Sequence, residues 1–304
     1  MHDSSDPSKT YLVHKTFFNS HGTKCGAHLY LPREIQIPPV VIMAHGFGAQ
    51  MNFGLLPFAE RFLKYGMAVF MFDYRHFGES EGLPRNLVNP FMHIEDWKSA
   101  VAYVRTLKEV NTEKIGLWGT SFSGGHVIVV AAADPDISAI VSQVPFTDGI
   151  STIINTRLRN IKDGLIAGVR DLIRKISFRD PFFVPILSGP DTFAVLNTPD
   201  APEALEILIP KGIEYENKCP ARITLMLGFY RPVHYASKVK CPALVIKGEH
   251  DALFAKNAAD KAAHKMPKGE LVTLPCGHFS PYAGEFFEKI VTLETDFLVK
   301  HLFG

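Results

Sequence analysis

Apolar and polar residues alternate over 11–18 and 24–31, on either side of Asn19-Ser20-His21-Gly22. A period of two interrupted by turn-forming residues predicts a β-hairpin. Beyond it the pattern changes. Short, mostly apolar runs at 40–44, 68–72, 115–118 and 137–144 have the length and content of buried strands. Segments of helical period separate them, at 55–65, 95–108 and 121–133. Strands alternating with helices predict a mainly parallel sheet covered on both faces, with the antiparallel hairpin at one edge. The rhythm breaks after Pro145. From 146 to about 240 no regular alternation is visible, although 157–178 has helical periodicity and 201–208 reads as a short helix. The alternation then returns with a strand at 243–247, a helix at 255–265, a strand at 271–274 and a long helix over about 282–301. Because the sheet is completed only after the break, the expected organisation is an α/β core of 1–146 and 241–304 with a largely helical lid at 147–240.

Composition narrows the function. Apolar residues make up 46% of 304, enough for a large core. The formal charge is +1, with the basic residues scattered, so neither nucleic acid nor an anionic membrane is the expected partner. No apolar run is long enough to insert into a membrane, and the polar start MHDSSDPSK predicts no signal peptide. Cys25, Cys219, Cys241 and Cys276 stand apart without metal-ligand spacing. They are expected to be buried free thiols in a cytoplasmic protein that needs no metal or cofactor. Self-association into a homodimer stays open.

The most informative segment is Gly119-Thr120-Ser121-Phe122-Ser123-Gly124-Gly125, set between a strand and an apolar helix. A serine in so tight a turn, with small residues two places either side, has the pattern of a nucleophile elbow. The turn lifts the hydroxyl above the sheet, close to the free N–H groups at a helix start. Serine needs a base, and the base needs an orienting acid. In an open α/β sheet these gather at the C-terminal ends of the strands. The run 243–247 is followed by Gly248-Glu249-His250-Asp251, and 271–274 by Pro275-Cys276-Gly277-His278-Phe279. His278 is the expected base and Asp251 the expected acid, with Glu249 and Asp148 as other candidates for the acid. Among the other histidines, His45 is expected to be structural, His126 to face away from Ser121, and His250 to point opposite to Asp251. Two N–H donors for an oxyanion are expected at Phe122 and at Phe47, the latter within His45-Gly46-Phe47-Gly48 after the strand at 40–44.

Together with Asp73-Tyr74-Arg75-His76-Phe77-Gly78-Glu79-Ser80, these motifs resemble the α/β-hydrolase superfamily in order and spacing over nearly the whole core. Within it, Asp73 to Glu81 and the Gly124-Gly125 pair look closest to dienelactone-hydrolase-like and Xaa-Pro-peptidase-like esterases. Two positions depart from the pattern: Ser123 replaces the usual elbow glycine, and His76 stands where many relatives have glycine. A serine nucleophile implies acyl transfer. The resemblance therefore implies a serine hydrolase acting on carboxylic esters of small to medium acyl groups, its partner a small-molecule ester. Thioesterase, acyltransferase and small-peptide hydrolase activities share the same machinery. A non-catalytic binding protein on this fold is disfavoured by the complete set of reactive residues. In the lid, apolar side chains such as Phe193, Leu227, Phe229 and Tyr230 are expected above Ser121. Arg231 and the arginines within 157–174 are candidates to grip a substrate carboxylate.

Overall fold

The computed structural model describes residues 2–3, 10–255 and 257–304. Most of the polar start lies outside these residues, as does Lys256 within the helix predicted over 255–265. A short strand β1 (His2–Asp3) precedes the hairpin of β2 (Tyr11–Ser20) and β3 (Thr23–Pro32). Asn19 pairs with Lys24 and Ser20 with Thr23, so the predicted four-residue turn contracts to His21-Gly22. Both take positive φ, 49° and 84°, as a two-residue turn matched to the strand twist requires.

The alternation follows as β4 (Pro39–Ala44), α1 (Leu56–Lys64), β5 (Ala68–Phe72), α2 (Pro90–Val104), β6 (Asn111–Thr120), α3 (Phe122–Ala133) and β7 (Ala139–Gln143). α2 begins at Pro90 rather than Glu95 because Asn89 caps it. The Asn89 side-chain oxygen accepts from the N–H groups of Phe91 and Met92, at 3.1 and 3.4 Å, and proline suits the first helical position. After β7 the chain leaves the sheet. This insertion holds α4 (Gly149–Ile154), α5 (Leu158–Ile176), β8 (Phe183–Val184), β9 (Leu187–Ser188), β10 (Leu196–Asn197), α6 (Ala201–Leu208) and β11 (Cys219–Pro220), then a string of 3₁₀ turns between 221 and 238. Its two ladders, β8 with β11 and β9 with β10, are only two residues long. The core resumes with β12 (Ala243–Gly248), α7 (Ala258–Lys265), β13 (Gly269–Leu274) and α8 (Gly284–Leu302).

The sheet runs β1-β2-β3-β5-β4-β6-β7-β12-β13, and from β5 to β13 every neighbouring pair is parallel. This is the α/β-hydrolase fold. All six residues of β4 are buried, and their alternation explains how. Val40, Ile42 and Ala44 join the core on the side of α2 and α3, while Val41 and Met43 join Phe58 and Trp118 under α1 and α8. Each buried valine, isoleucine or methionine among them contributes about 1.5–3 kcal/mol, so the strands are held from both faces. The insertion is fastened differently. Asp171, inside α5, accepts from the N–H groups of Phe182 and Arg222 and from the Arg222 guanidinium at 2.6 and 3.1 Å. All four cysteines are buried free thiols, and burial pushes that of Cys25 up to about 12. Among the described residues no helix is long and apolar enough to cross a membrane.

Candidate active site

β6 ends at Thr120 and α3 begins at Phe122, so Ser121 alone makes the turn, with φ 56° and ψ −117°. That backbone costs a non-glycine residue roughly 1–3 kcal/mol, and the end of β7 holds it in place. The Ser121 N–H donates to the Gln143 carbonyl at 2.8 Å, and the Ser121 carbonyl accepts from the Phe146 N–H at 2.9 Å. A Cβ on Gly119 would lie 2.3 Å from the Ser123 carbonyl oxygen, so the position two before the serine excludes any side chain. Two after it, Ser123 is accommodated because its hydroxyl meets the Tyr74 hydroxyl at 2.8 Å and accepts from Trp97 Nε1–H at 3.3 Å.

The loops after β12 and β13 bring two further side chains to this serine. His278 Nε2 lies 3.0 Å from Ser121 Oγ, and His278 Nδ1 lies 2.7 Å from Asp251 Oδ2. With Nδ1–H donating to the carboxylate, Nε2 is left to accept from the serine hydroxyl. The other Asp251 oxygen accepts from the N–H groups of Leu253 and Phe254, at 2.8 and 3.3 Å, which fixes the carboxylate. Phe254 and Phe279 stand edge-on to the His278 ring at 4.9 and 5.0 Å and hold its plane.

The other candidates lie elsewhere. Glu249 and His250 are exposed. Asp148 caps α4 and takes the Arg231 guanidinium at 2.8 and 3.1 Å. Of the three acids, only Asp251 reaches His278. His126 turns its Nδ1 to the Tyr230 hydroxyl and its Nε2 to His93, and burial holds both histidines well below the ordinary histidine value. His45 is buried with Nδ1 on the Gly46 carbonyl, and burial pushes it down to about 4. Asp73, buried and pushed up to about 6, accepts from the N–H groups of Met51 and Glu79 and so ties the loop after β5 to the loop after β4. His76 takes φ 75°, a glycine-like value, and its Nδ1 contacts the Pro84 carbonyl at 3.0 Å.

Phe122 is the first residue of α3, so its N–H has no intrahelical partner. Its ring meets that of Phe47 edge-on at 5.3 Å, which brings together the two loops expected to supply oxyanion donors. Two cavities adjoin here. One of about 40 Å³ is lined by Ser121, His278, Leu205 and Tyr215. The other, of about 570 Å³, is walled by Phe47, Phe122, Phe146, Leu227 and Phe254, with Asn155, Asn160 and Asn197 also facing it. Phe47 and Leu196 border both.

Of the residues expected near the substrate, Arg157, Phe193 and Leu227 line the larger cavity, whereas Phe229, Tyr230 and Arg231 line neither. Phe229 is 79% exposed. Tyr230 is buried behind Phe122 and Phe146, with its hydroxyl on His126. Arg231 is paired with Asp148. The walls come instead from Phe193 and Leu227, which the aromatic and aliphatic content had pointed to, and from Phe146, Leu253 and Phe254, which it had not. Those last three follow β7 and β12. The rule that located Asp251, looking just past the strand ends, applied to apolar residues as well, would have found them.

Comparison with known proteins adds relatives to this geometry. A family model described as X-Pro dipeptidyl-peptidase (S15 family) matches residues 21–171. The chain is 37% identical over 281 residues to the quorum-quenching protein AidA of Acinetobacter baumannii, covering 92% of each. It is 39% identical over 132 residues to the thiohydrolase aneE of Aspergillus aculeatus, which is 43% of this chain and 41% of that one. It is also similar to the polyketide transferase grgF of Penicillium sp., 26% identical over 269 residues, 87% of this chain and 88% of that one. The crystal structure of the alpha/beta hydrolase GrgF superposes with a TM-score of 0.82 at 23% identity, over 96% of this chain and 99% of that one.

Proposed function

We propose, since the chain belongs to the α/β-hydrolase superfamily, that it is a serine hydrolase of carboxylic esters with small to medium acyl groups. The observation that carries this reading is the hydrogen-bonded line from Asp251 through His278 to Ser121 beside an apolar cavity of about 570 Å³. Ser121 Oγ attacks the carbonyl carbon while His278 Nε2 takes its proton. Asp251 orients the imidazole and stabilises its charged form. The N–H groups of Phe47 and Phe122 hold the negative oxygen of the tetrahedral intermediate. The ester bond then breaks, His278 passes its proton to the leaving alcohol, and the acyl group remains on Ser121. A water repeats the sequence, giving its proton to His278 and releasing the acid. In this reading the insertion is a lid that shields the acyl-enzyme and selects the acyl group.

Relatives named as a thiohydrolase and a polyketide transferase favour thioester cleavage or transfer of the acyl group to another acceptor as the second reading. The match to a peptidase family keeps small aminoacyl amides in the set to be tested. The test compares wild type with Ser121→Ala in labelling by a fluorophosphonate and in turnover of matched esters, thioesters and aminoacyl amides. Labelling is expected at Ser121, with kcat in the variant down roughly a hundred thousand- to a millionfold. Near-wild-type turnover by clean Ser121→Ala would overturn the mechanism. Faster acyl turnover with thioesters, or with a non-water acceptor, would replace the ester reading by the second one.

A further inference from the structure

α5 is packed inside out. It buries Gly164, Ala167, Gly168 and Asp171 against the insertion and presents Leu165, Ile166, Val169, Leu172 and Ile173 to solvent, Ile166 and Ile173 at 59% exposure each. The stripe continues through Ile176 to Phe178, which is fully exposed. A monomer rarely leaves so continuous an apolar face open. The order of residues along the face is also informative. Leu165 and Ile166 lie four and three positions before Val169, and Leu172 and Ile173 lie three and four positions after it.

A two-fold axis at Val169 would therefore set an antiparallel copy of the helix with apolar residues against apolar residues, Ile166 facing Leu172 and Leu165 facing Ile173. The same operation places Asp163 opposite Lys175 of the second copy. Self-complementarity of this kind is what an isologous interface requires. We propose that α5 is the dimerisation surface of this protein and that its occupant is α5 of a second copy.

A lipid surface is the competing occupant, because Lys162, Lys175 and Arg179 stand exposed beside the stripe and anionic headgroups are drawn to such cations. The self-complementary order of the apolar residues favours the second copy, and vesicle binding is an outcome of the test. The area sets the expected strength. Nineteen residues at about 1.5 Å each and a width of about 10 Å give a footprint of roughly 300 Å². A standard interface covers about 800 Å² per partner. The exposed Leu158 and Phe178 at the two ends extend the patch, and the expected dimer is weak, dissociating in the micromolar range. Leu165 also borders the larger cavity, so the second copy would pack on the outer side of its wall.

The experiment is sedimentation velocity over a micromolar dilution series for wild type and Val169→Glu, which sets two like charges face to face on the axis. Wild type is expected to be dimeric at the upper concentrations and Val169→Glu monomeric throughout, with a melting temperature equal to that of wild type at dilutions where the dimer has dissociated. A second variant works in the positive sense. The native thiols are buried, so Val169→Cys under diamide should cross-link rapidly between copies, whereas Lys64→Cys on the far side should not. A monomer at all concentrations, a dimer untouched by Val169→Glu, or equal cross-linking at both positions would overturn the proposal. So would a monomer that sediments with phosphatidylglycerol vesicles.

Discussion

In the core, β4 and β5 bury every residue they contain, and their aliphatic side chains point alternately into two packed layers. In the insertion, α5 buries glycine and alanine and turns its leucines and isoleucines out. The difference separates two duties. The core holds Ser121, Asp251 and His278 at hydrogen-bonding distance by fixing three strand ends in one sheet. The insertion has no sheet of its own beyond two-residue ladders, and it contributes cavity wall and none of Ser121, Asp251 and His278. Chemistry is thus expected to respond to changes in the core, and selectivity to changes in the insertion.

The sharpest way to break that division is to exchange one carboxylate from each region. Asp251→Asn removes the acceptor that orients His278 and is expected to lower kcat about ten-thousandfold, as the wrong imidazole tautomer is favoured. Asp148→Asn leaves the relay intact and disturbs only the α4 cap and Arg231. It should cost on the order of 1 kcal/mol in stability and change kcat by less than roughly tenfold. Steady-state kinetics with one p-nitrophenyl ester decides the matter. A large loss at Asp148 and a small one at Asp251 would move the acid to the insertion side.

Buried carboxyls sharpen the comparison through opposite signs. Asp171 in the insertion has four donors, three of them from Arg222 and two of those from its guanidinium, so Asp171→Ala strands a guanidinium and should destabilise by roughly 3–5 kcal/mol. Among the described residues, Glu294 in the core has a single donor, Trp118 Nε1–H at 2.9 Å, and its other oxygen has no partner. Burial pushes its carboxyl up to about 8. Between the unfolded value, about 4.5, and that folded value the native state holds more protons than the unfolded chain, so stability falls as pH rises. Glu294→Gln should match wild type near the lower limit and exceed it by a few kcal/mol at pH about 8. Urea titrations across this range, giving parallel curves for the two proteins, would disprove the buried proton.

The same division explains what was legible in the sequence. Strand runs in the core show as apolar because both faces are covered, and Ser121, Asp251 and His278 follow them directly. Hence the α/β order and the positions of Ser121, Asp251 and His278 could be read without coordinates. Helix α2 was misplaced at its start because Asn89-Pro90 is a capping signal outside the apolar period. In the insertion, periodicity located α5 and α6 but could not tell which face is covered, since α5 packs through glycine. Arg231 looked available for substrate because nothing in the sequence links it to Asp148, 83 positions away. Phe229 looked like a pocket residue because an aromatic in a Gly- and Pro-punctuated stretch carries no period to show which way it faces.

The smallest expected effect falls on the insertion alone, and it is graded. The larger cavity is bounded by Phe193 and Leu227 of the insertion and by Phe122 and Phe254 of the core, so an acyl chain entering it would leave water step by step. Each methylene buried should add about 0.8 kcal/mol, or roughly fourfold in kcat/KM. The rise must stop where the apolar wall of the cavity ends, and the proposed reading places that stop before the longest chains. The measurement is kcat/KM for p-nitrophenyl esters from acetate to palmitate. Leu227→Trp, which takes up part of the cavity, should lower the chain length at which the rise stops while leaving the acetate ester close to wild type. A rate that climbs to palmitate in both proteins would mean that the chain lies outside the insertion. A Leu227→Trp enzyme equally impaired on acetate would mean that insertion and core are not separable in the way their packing implies.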